Sequence, residues 1–150
     1  MRSLRRLICR TGRVPGAWFA ASALLLSPLL HAETVVCHYT YGGETKQLVA
    51  PPVSSPYEVR GIPVGSFFRF RVVFQKTPAD LASIKVYTYA ERVEGAVLIH
   101  QATYPYPLAG SRAAPYGFTG QHVVYEPMRD GELQYWCELQ ALADSGAVMR

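Results

Sequence analysis

Glu132–Leu139 reads ELQYWCEL. Apolar and polar residues alternate through it, with Leu133, Tyr135, Cys137 and Leu139 on one face and Glu132, Gln134, Trp136 and Glu138 on the other. Period-two alternation marks a half-buried β-strand. Its cysteine has a partner in a matching strand near the other end of the chain. There Thr34–Tyr41, TVVCHYTY, sets Val35, Cys37, Tyr39 and Tyr41 on one face. We read Cys37–Cys137 as the staple around which the fold closes. Closing a loop of about 100 residues stabilises a chain by roughly 4.7 kcal/mol in the chain-entropy model, before strain and residual structure lower it.

Between these ends the chain keeps the same grammar. Gly42-Gly43 joins Thr34–Tyr41 to Glu44–Ala50 as a hairpin. Pro51-Pro52 ends the second strand, because proline donates no ladder hydrogen bond. Val53–Tyr57 reads as a linker or edge segment, and Glu58–Val64, with Gly61 and Pro63, as at most a short edge strand. Ser66–Gln75, SFFRFRVVFQ, puts Phe68, Phe70, Val72 and Phe74 on one face and Arg69 and Arg71 on the other. The two arginines read as solvated side chains opposite a core face, or as a cationic strip for a carboxylate or phosphate. Pro78–Ala82 has room for one helical turn. Ser83–Ala90 and Ala96–Tyr104 flank a five-residue hairpin loop, Glu91–Gly95, whose charges serve solubility. Gln121–Glu126 is a further strand and Pro127–Gly131 a turn; Gln140–Arg150 is a short helical turn or a frayed tail.

About eight strands with turn signals between them predict an all-β, antiparallel two-sheet sandwich, with a small partly open β-barrel as the alternative. Tyr135-x-Cys137 resembles the immunoglobulin fold, in which a tyrosine stands two residues before the second cysteine. The resemblance covers that stretch. Ala50-Pro51-Pro52 stands where such domains carry a tryptophan after the first cysteine, and almost nothing follows Cys137 to form a last strand. It implies an immunoglobulin-like architecture and no family membership.

The first 32 residues read differently. Met1–Arg13 holds five arginines and no acid, Ala17–Leu30 is almost wholly apolar, and Leu30-His31-Ala32 precedes a polar start. This is the pattern of a secretory signal peptide cut after Ala32. The apolar run falls short of the ~20 residues that span a bilayer. Arg5-Arg6 loosely resembles a twin-arginine signal, but Leu4 stands where a Ser or Thr is usual, so the ordinary route is expected. Cleavage leaves one domain, 33–150, exported to the periplasm or the extracellular space. It would carry Cys37 and Cys137 as its two cysteines, a pattern suited to an oxidising compartment. Ten Lys and Arg then face eleven acids, a formal charge of −1 where the whole chain has +4. The basic balance belongs to the signal, so neither a nucleic-acid partner nor a polybasic membrane patch is expected, and no membrane span remains after cleavage.

Chemistry-bearing motifs are scarce. His38, His100 and His122 lie on three separate strands, each read as a polar residue on an outward face, and Met128 adds a thioether suited to Cu(I). These four are the conceivable metal ligands, although no metal or other cofactor is expected. No G-x-S-x-G and no phosphate-cradling Gly-rich loop occurs, so no catalytic residue is assigned and the chain reads as no enzyme. The least ordinary segment is Pro105–Gly120, PYPLAGSRAAPYGFTG, long for a connection in a compact domain. Its Tyr106, Arg112, Tyr116 and Phe118, with Tyr104 before it and Trp136 on the outward face of the last strand, are the candidate partner-binding residues. The leading expectation is a small exported binding or accessory protein that engages a protein or peptide through this loop. The alternative is a periplasmic protein that handles a small ligand or copper.

Overall fold

The computed structural model describes residues 33–109 and 114–141. The signal segment, Arg112 and the tail beyond Ala141 lie outside the described residues. Among the described residues the architecture is all-β, with nine strands in two sheets and two single 3₁₀ turns. No helix among the described residues is long and apolar enough to cross a membrane.

Strand β1 (Glu33–Tyr41) turns through Gly42-Gly43 into β2 (Glu44–Ala50). Both glycines have positive φ, 60° and 80°, the backbone a two-residue type I′ hairpin demands. The chain then crosses to the second sheet. Strand β3 (Pro52–Val53) runs parallel to one end of β5 (Phe68–Gln75), and β4 (Ile62–Val64) runs antiparallel to its other end. Pro52 is tolerated because β3 is an edge. Strands β6 (Ser83–Arg92) and β7 (Gly95–Pro105) continue the meander. The 106–121 connection leads back to β8 (His122–Glu126), and β9 (Gly131–Ala141) inserts between β8 and β1. Sheet A therefore has the order β2-β1-β9-β8, and sheet B the order β3-β5-β6-β7 with β4 also on β5.

The inner faces are those the alternation gives. Val35, Cys37, Tyr39, Leu133, Tyr135 and Cys137 of sheet A meet Phe68, Phe70, Val72, Phe74, Ile84 and Val86 of sheet B, all buried. Phe70 lies between Tyr39 and Tyr135, at centroid distances of 5.7 and 5.2 Å. Burying an aromatic or branched side chain contributes about 1.5–3 kcal/mol, so this layer dominates the stability of the fold.

Three expectations change. Cys37 and Cys137 lie at disulfide distance, Sγ–Sγ 2.00 Å, but they are directly opposed on adjacent strands of one sheet. The bridge of an immunoglobulin domain joins two sheets, so the likeness stops at two-sheet architecture. The β6–β7 loop is not five residues long. Glu91 and Arg92 pair with Ala96 and Gly95, leaving Val93-Glu94 as the turn, and a bulge falls between Thr88 and Tyr89. Glu91 is held there by its amide on the Phe67 carbonyl (2.8 Å) and by its carboxylate on Arg69 Nε (2.6 Å). Nor is Arg71 a solvated side chain. It donates to the carbonyls of Val59 (2.8 Å) and Pro56 and lies over the Tyr87 ring. Arg71 clamps the 56–59 segment onto sheet B, while Arg69 is paired with Glu91.

Candidate functional site

The direct opposition of Cys37 and Cys137 fixes what stands beside them. In an antiparallel pair the next residues oppose in reverse order, and His38 faces Trp136. The two rings stack on the outer face of sheet A at 3.8 Å between centroids and 6° between planes. Gln47 on β2 donates to His38 Nδ1 (3.4 Å), and His38 Nε2 lies 3.1 Å from Glu138 Oε1. An amide nitrogen only donates, so Nδ1 accepts and Nε2 carries the proton toward the carboxylate. Gln140 Nε2 donates to the same Glu138 oxygen at 2.8 Å. A histidine–carboxylate pair could orient a nucleophile. Here both imidazole nitrogens are engaged, and the hydroxyls of Thr40 and Thr45 bond each other at 2.8 Å.

Among the described residues of the aromatic loop, Tyr116 reaches this face. Strand β8 ends its pairing with β9 at Tyr135, and the incoming segment takes over the free edge. The Phe118 amide donates to the Cys137 carbonyl (3.0 Å), and the Cys137 amide donates to Thr119 Oγ1 (2.8 Å). Gly117 makes this approach possible. Its φ is +63°, and a Cβ there would lie 2.1 Å from the Cys137 carbonyl oxygen. Tyr116, at φ 62°, then sets its ring edge-on to Trp136 at 6.1 Å, with 51% of the residue exposed. Trp136 is thus half-buried, covered by His38 on one side and by Tyr116 of the loop.

The other candidate rings belong to the body of the protein. Tyr106 packs edge-on against Phe74 at 5.0 Å, lies under Lys76 and donates its hydroxyl to Glu33. Phe118 meets Tyr104 edge-on at 5.2 Å. Both are half-buried against the core. Within the loop expected as a binding surface, Tyr106, Leu108 and Phe118 pack against the core. Arg112 lies outside the described residues.

The histidines divide. His38 faces outward as expected, but His100 and His122 turn inward, where β7 and β8 approach each other, with ring centroids 5.4 Å apart. Tyr135, on the core face of β9, stacks on His122 at 4.9 Å and 8°, and its hydroxyl lies 2.7 Å from His100 Nε2. Tyr104 places its hydroxyl 2.9 Å from His122 Nε2, which also lies 3.1 Å from the Thr119 carbonyl. Burial, with His122 nearby, lowers the pKa of His100. Burial raises that of Tyr104, and burial with Tyr104 nearby raises that of Tyr135. Met128 is exposed in the β8–β9 turn, in a cleft with Arg92 and Arg129. The four conceivable metal ligands therefore occupy three places. Among the described residues no group of three or more His, Cys, Asp or Glu is arranged to hold a metal ion.

Glu138, Gln47 and Thr119 were not singled out as site residues by sequence reasoning. Glu138 and Gln47 follow from the register once β1 and β9 are neighbours; Thr119 acts through the path of a loop and has no local signal. Comparison with protein-family models, with curated proteins and with solved structures finds no match to this chain.

Proposed function

We propose that this protein is an exported, non-enzymatic binding protein whose contact surface is the outer face of sheet A, centred on Tyr116, Trp136 and His38. The partner is a protein or peptide. The observation that carries the reading is Tyr116: a bulky, half-exposed side chain held with left-handed backbone beside a tryptophan. Non-glycine residues in that region cost about 1–3 kcal/mol and cluster where a surface must be pre-shaped. Tyrosine and tryptophan also offer contact area at low entropy cost. Around them stand Val49, Val123 and Tyr125, each more than half exposed on the same face. Export is supported by the basic-then-apolar pattern of residues 1–32 and by two cysteines at disulfide distance.

The test is selection of a displayed peptide library on purified 33–150, followed by binding to Tyr116→Asn and Trp136→Ala. The reading expects wild-type binders that lose at least about tenfold in affinity, 1.4 kcal/mol, on both variants. Selection that yields only binders indifferent to both substitutions would sink it.

A further inference from the structure

Strands β7 and β8 are the neighbouring edges of the two sheets, and no β-ladder joins them. Side chains close the gap instead. Tyr104 and His100 of β7 cross over to His122 of β8 and Tyr135 of β9. His122 also lies within hydrogen-bond distance of the Thr119 carbonyl, and Tyr104 carries the Phe118 ring. The seam therefore holds the segment that positions Tyr116.

We propose that this Tyr–His seam is an acid-sensitive latch: proton uptake at His100 parts β7 from β8 and frees the 114–120 segment from β9. The hydrogen-bond chemistry supports it. The Tyr135 hydroxyl is buried and, among the described residues, has His100 Nε2 as its partner. With neutral His100 the hydroxyl donates to that nitrogen. Protonation turns Nε2 into a donor, so the hydroxyl must accept and its own proton is left without an acceptor.

Among the described residues the surroundings offer a cation at His100 no free carboxylate. Facing the two imidazoles are Tyr104 from β7, Tyr135 from β9, the Thr119 carbonyl and Phe118 from the loop, and Thr88 from β6. Thr88 is His100's register partner, and its buried hydroxyl has no hydrogen-bond partner among the described residues. The carboxylate on the inner face of β8, Glu126, is already engaged by Arg92 and by the Arg129 amide. The ring nearest a cationic His100 is His122, 5.4 Å away between centroids, and it carries no negative charge to offset the cation. The lowered pKa of His100 agrees with a site built for the neutral ring. Because parting β7 from β8 breaks no ladder, the seam yields before either sheet does.

The latch builds on the binding reading only because Tyr116 rides on the released segment, and its test needs no partner. Hydrogen exchange of purified 33–150 is followed by NMR from about pH 7.5 to about pH 5, the range in which histidine titrates. Protection at the Phe118 and Cys137 amides should fall relative to Val86, by up to about tenfold for each unit by which seam protonation lags behind a free imidazole. His100→Gln with His122→Gln keeps donors and acceptors but not the titration, and should make that ratio independent of pH. A flat ratio in the wild type, or an equal fall in the double variant, overturns the proposal. If the double variant does not fold, the wild-type ring signals decide: His100 titration and Phe118 deprotection must share one midpoint, and separate midpoints overturn it.

Discussion

Gly117 passes so close to Cys137 that a methyl group on it would stand 2.1 Å from the Cys137 carbonyl oxygen. This contact joins the loop to the strand that carries Trp136. Its neighbour Tyr116 shares its left-handed backbone, at 62° and 63°, and two such residues in succession turn the chain so that the Phe118 amide meets the same carbonyl. Gly117→Ala should detach the segment. The substitution meets backbone rather than a yielding side chain, and the positive φ alone costs roughly 1–2 kcal/mol. We expect a lowered denaturant midpoint and loss of protection at Phe118; wild-type protection in the variant would show that the contact does not hold the loop.

Tyr116→Asn separates surface from scaffold. Asparagine tolerates the left-handed region better than tyrosine, so the melting temperature should hold or rise while binding at the sheet A face is lost. A variant that melts several degrees lower would instead make Tyr116 a structural residue. Circular dichroism melts beside the peptide-binding assay give both answers.

Strand faces were legible because alternation is local. Phe68, Phe70, Val72 and Phe74 point inward as their spacing requires. What the sequence left open were the pairings that depend on which strands become neighbours. Had Cys37 and Cys137 been placed on adjacent strands, His38 opposite Trp136 would have followed at once. The inward turn of His100 and His122 is harder to read. Both sit at inner positions of edge strands, where the sandwich is open enough to admit a polar ring, and histidine in an alternating strand is ambiguous as to face. The packing of Tyr106 and Phe118 was hidden for another reason: loop rings have no period.

The cysteine pair offers a direct stability test. Both sulfurs sit in the core at 0% exposure, so Cys37→Ser removes the covalent link and buries a hydroxyl. Losing a native disulfide from a small secreted domain costs about 2–5 kcal/mol. We expect Cys37→Ser and Cys137→Ser to lower the melting temperature by similar amounts. The double variant should be no worse than the sum of the two, since the link is already gone after the first. Unchanged melting in non-reducing buffer would mean the thiols are not bridged.

Stability should depend on pH with a definite sign. His100 has its folded pKa lowered from 6.5 by burial, with His122 nearby, so below about pH 6.5 the unfolded chain binds the proton more readily. Its contribution is fully present above that pH and is lost as pH falls from 6.5 through the lowered folded value. Melting temperatures taken at steps across this interval should fall in the wild type and fall less in His100→Gln. Equal slopes would remove His100 from the account.

Glu126 is the deepest charge among the described residues, at 0% exposure on the inner face of β8. It accepts from the Arg129 amide at 2.9 Å and from Arg92 at 3.4 Å, and so ties the β8–β9 turn to the end of β6. Breaking a buried ion pair costs about 3–5 kcal/mol when the survivor stays buried. Arg92 is 34% exposed on its side chain, so it can recover water, and the lower range for hydrogen bonds to charged groups, about 1.5–3 kcal/mol, is the better expectation for Glu126→Ala. Glu126→Gln keeps an acceptor for the Arg129 amide and should cost less. Urea titrations that place the glutamine variant at or below the alanine variant would show that charge, rather than the turn-capping acceptor, is what the site needs.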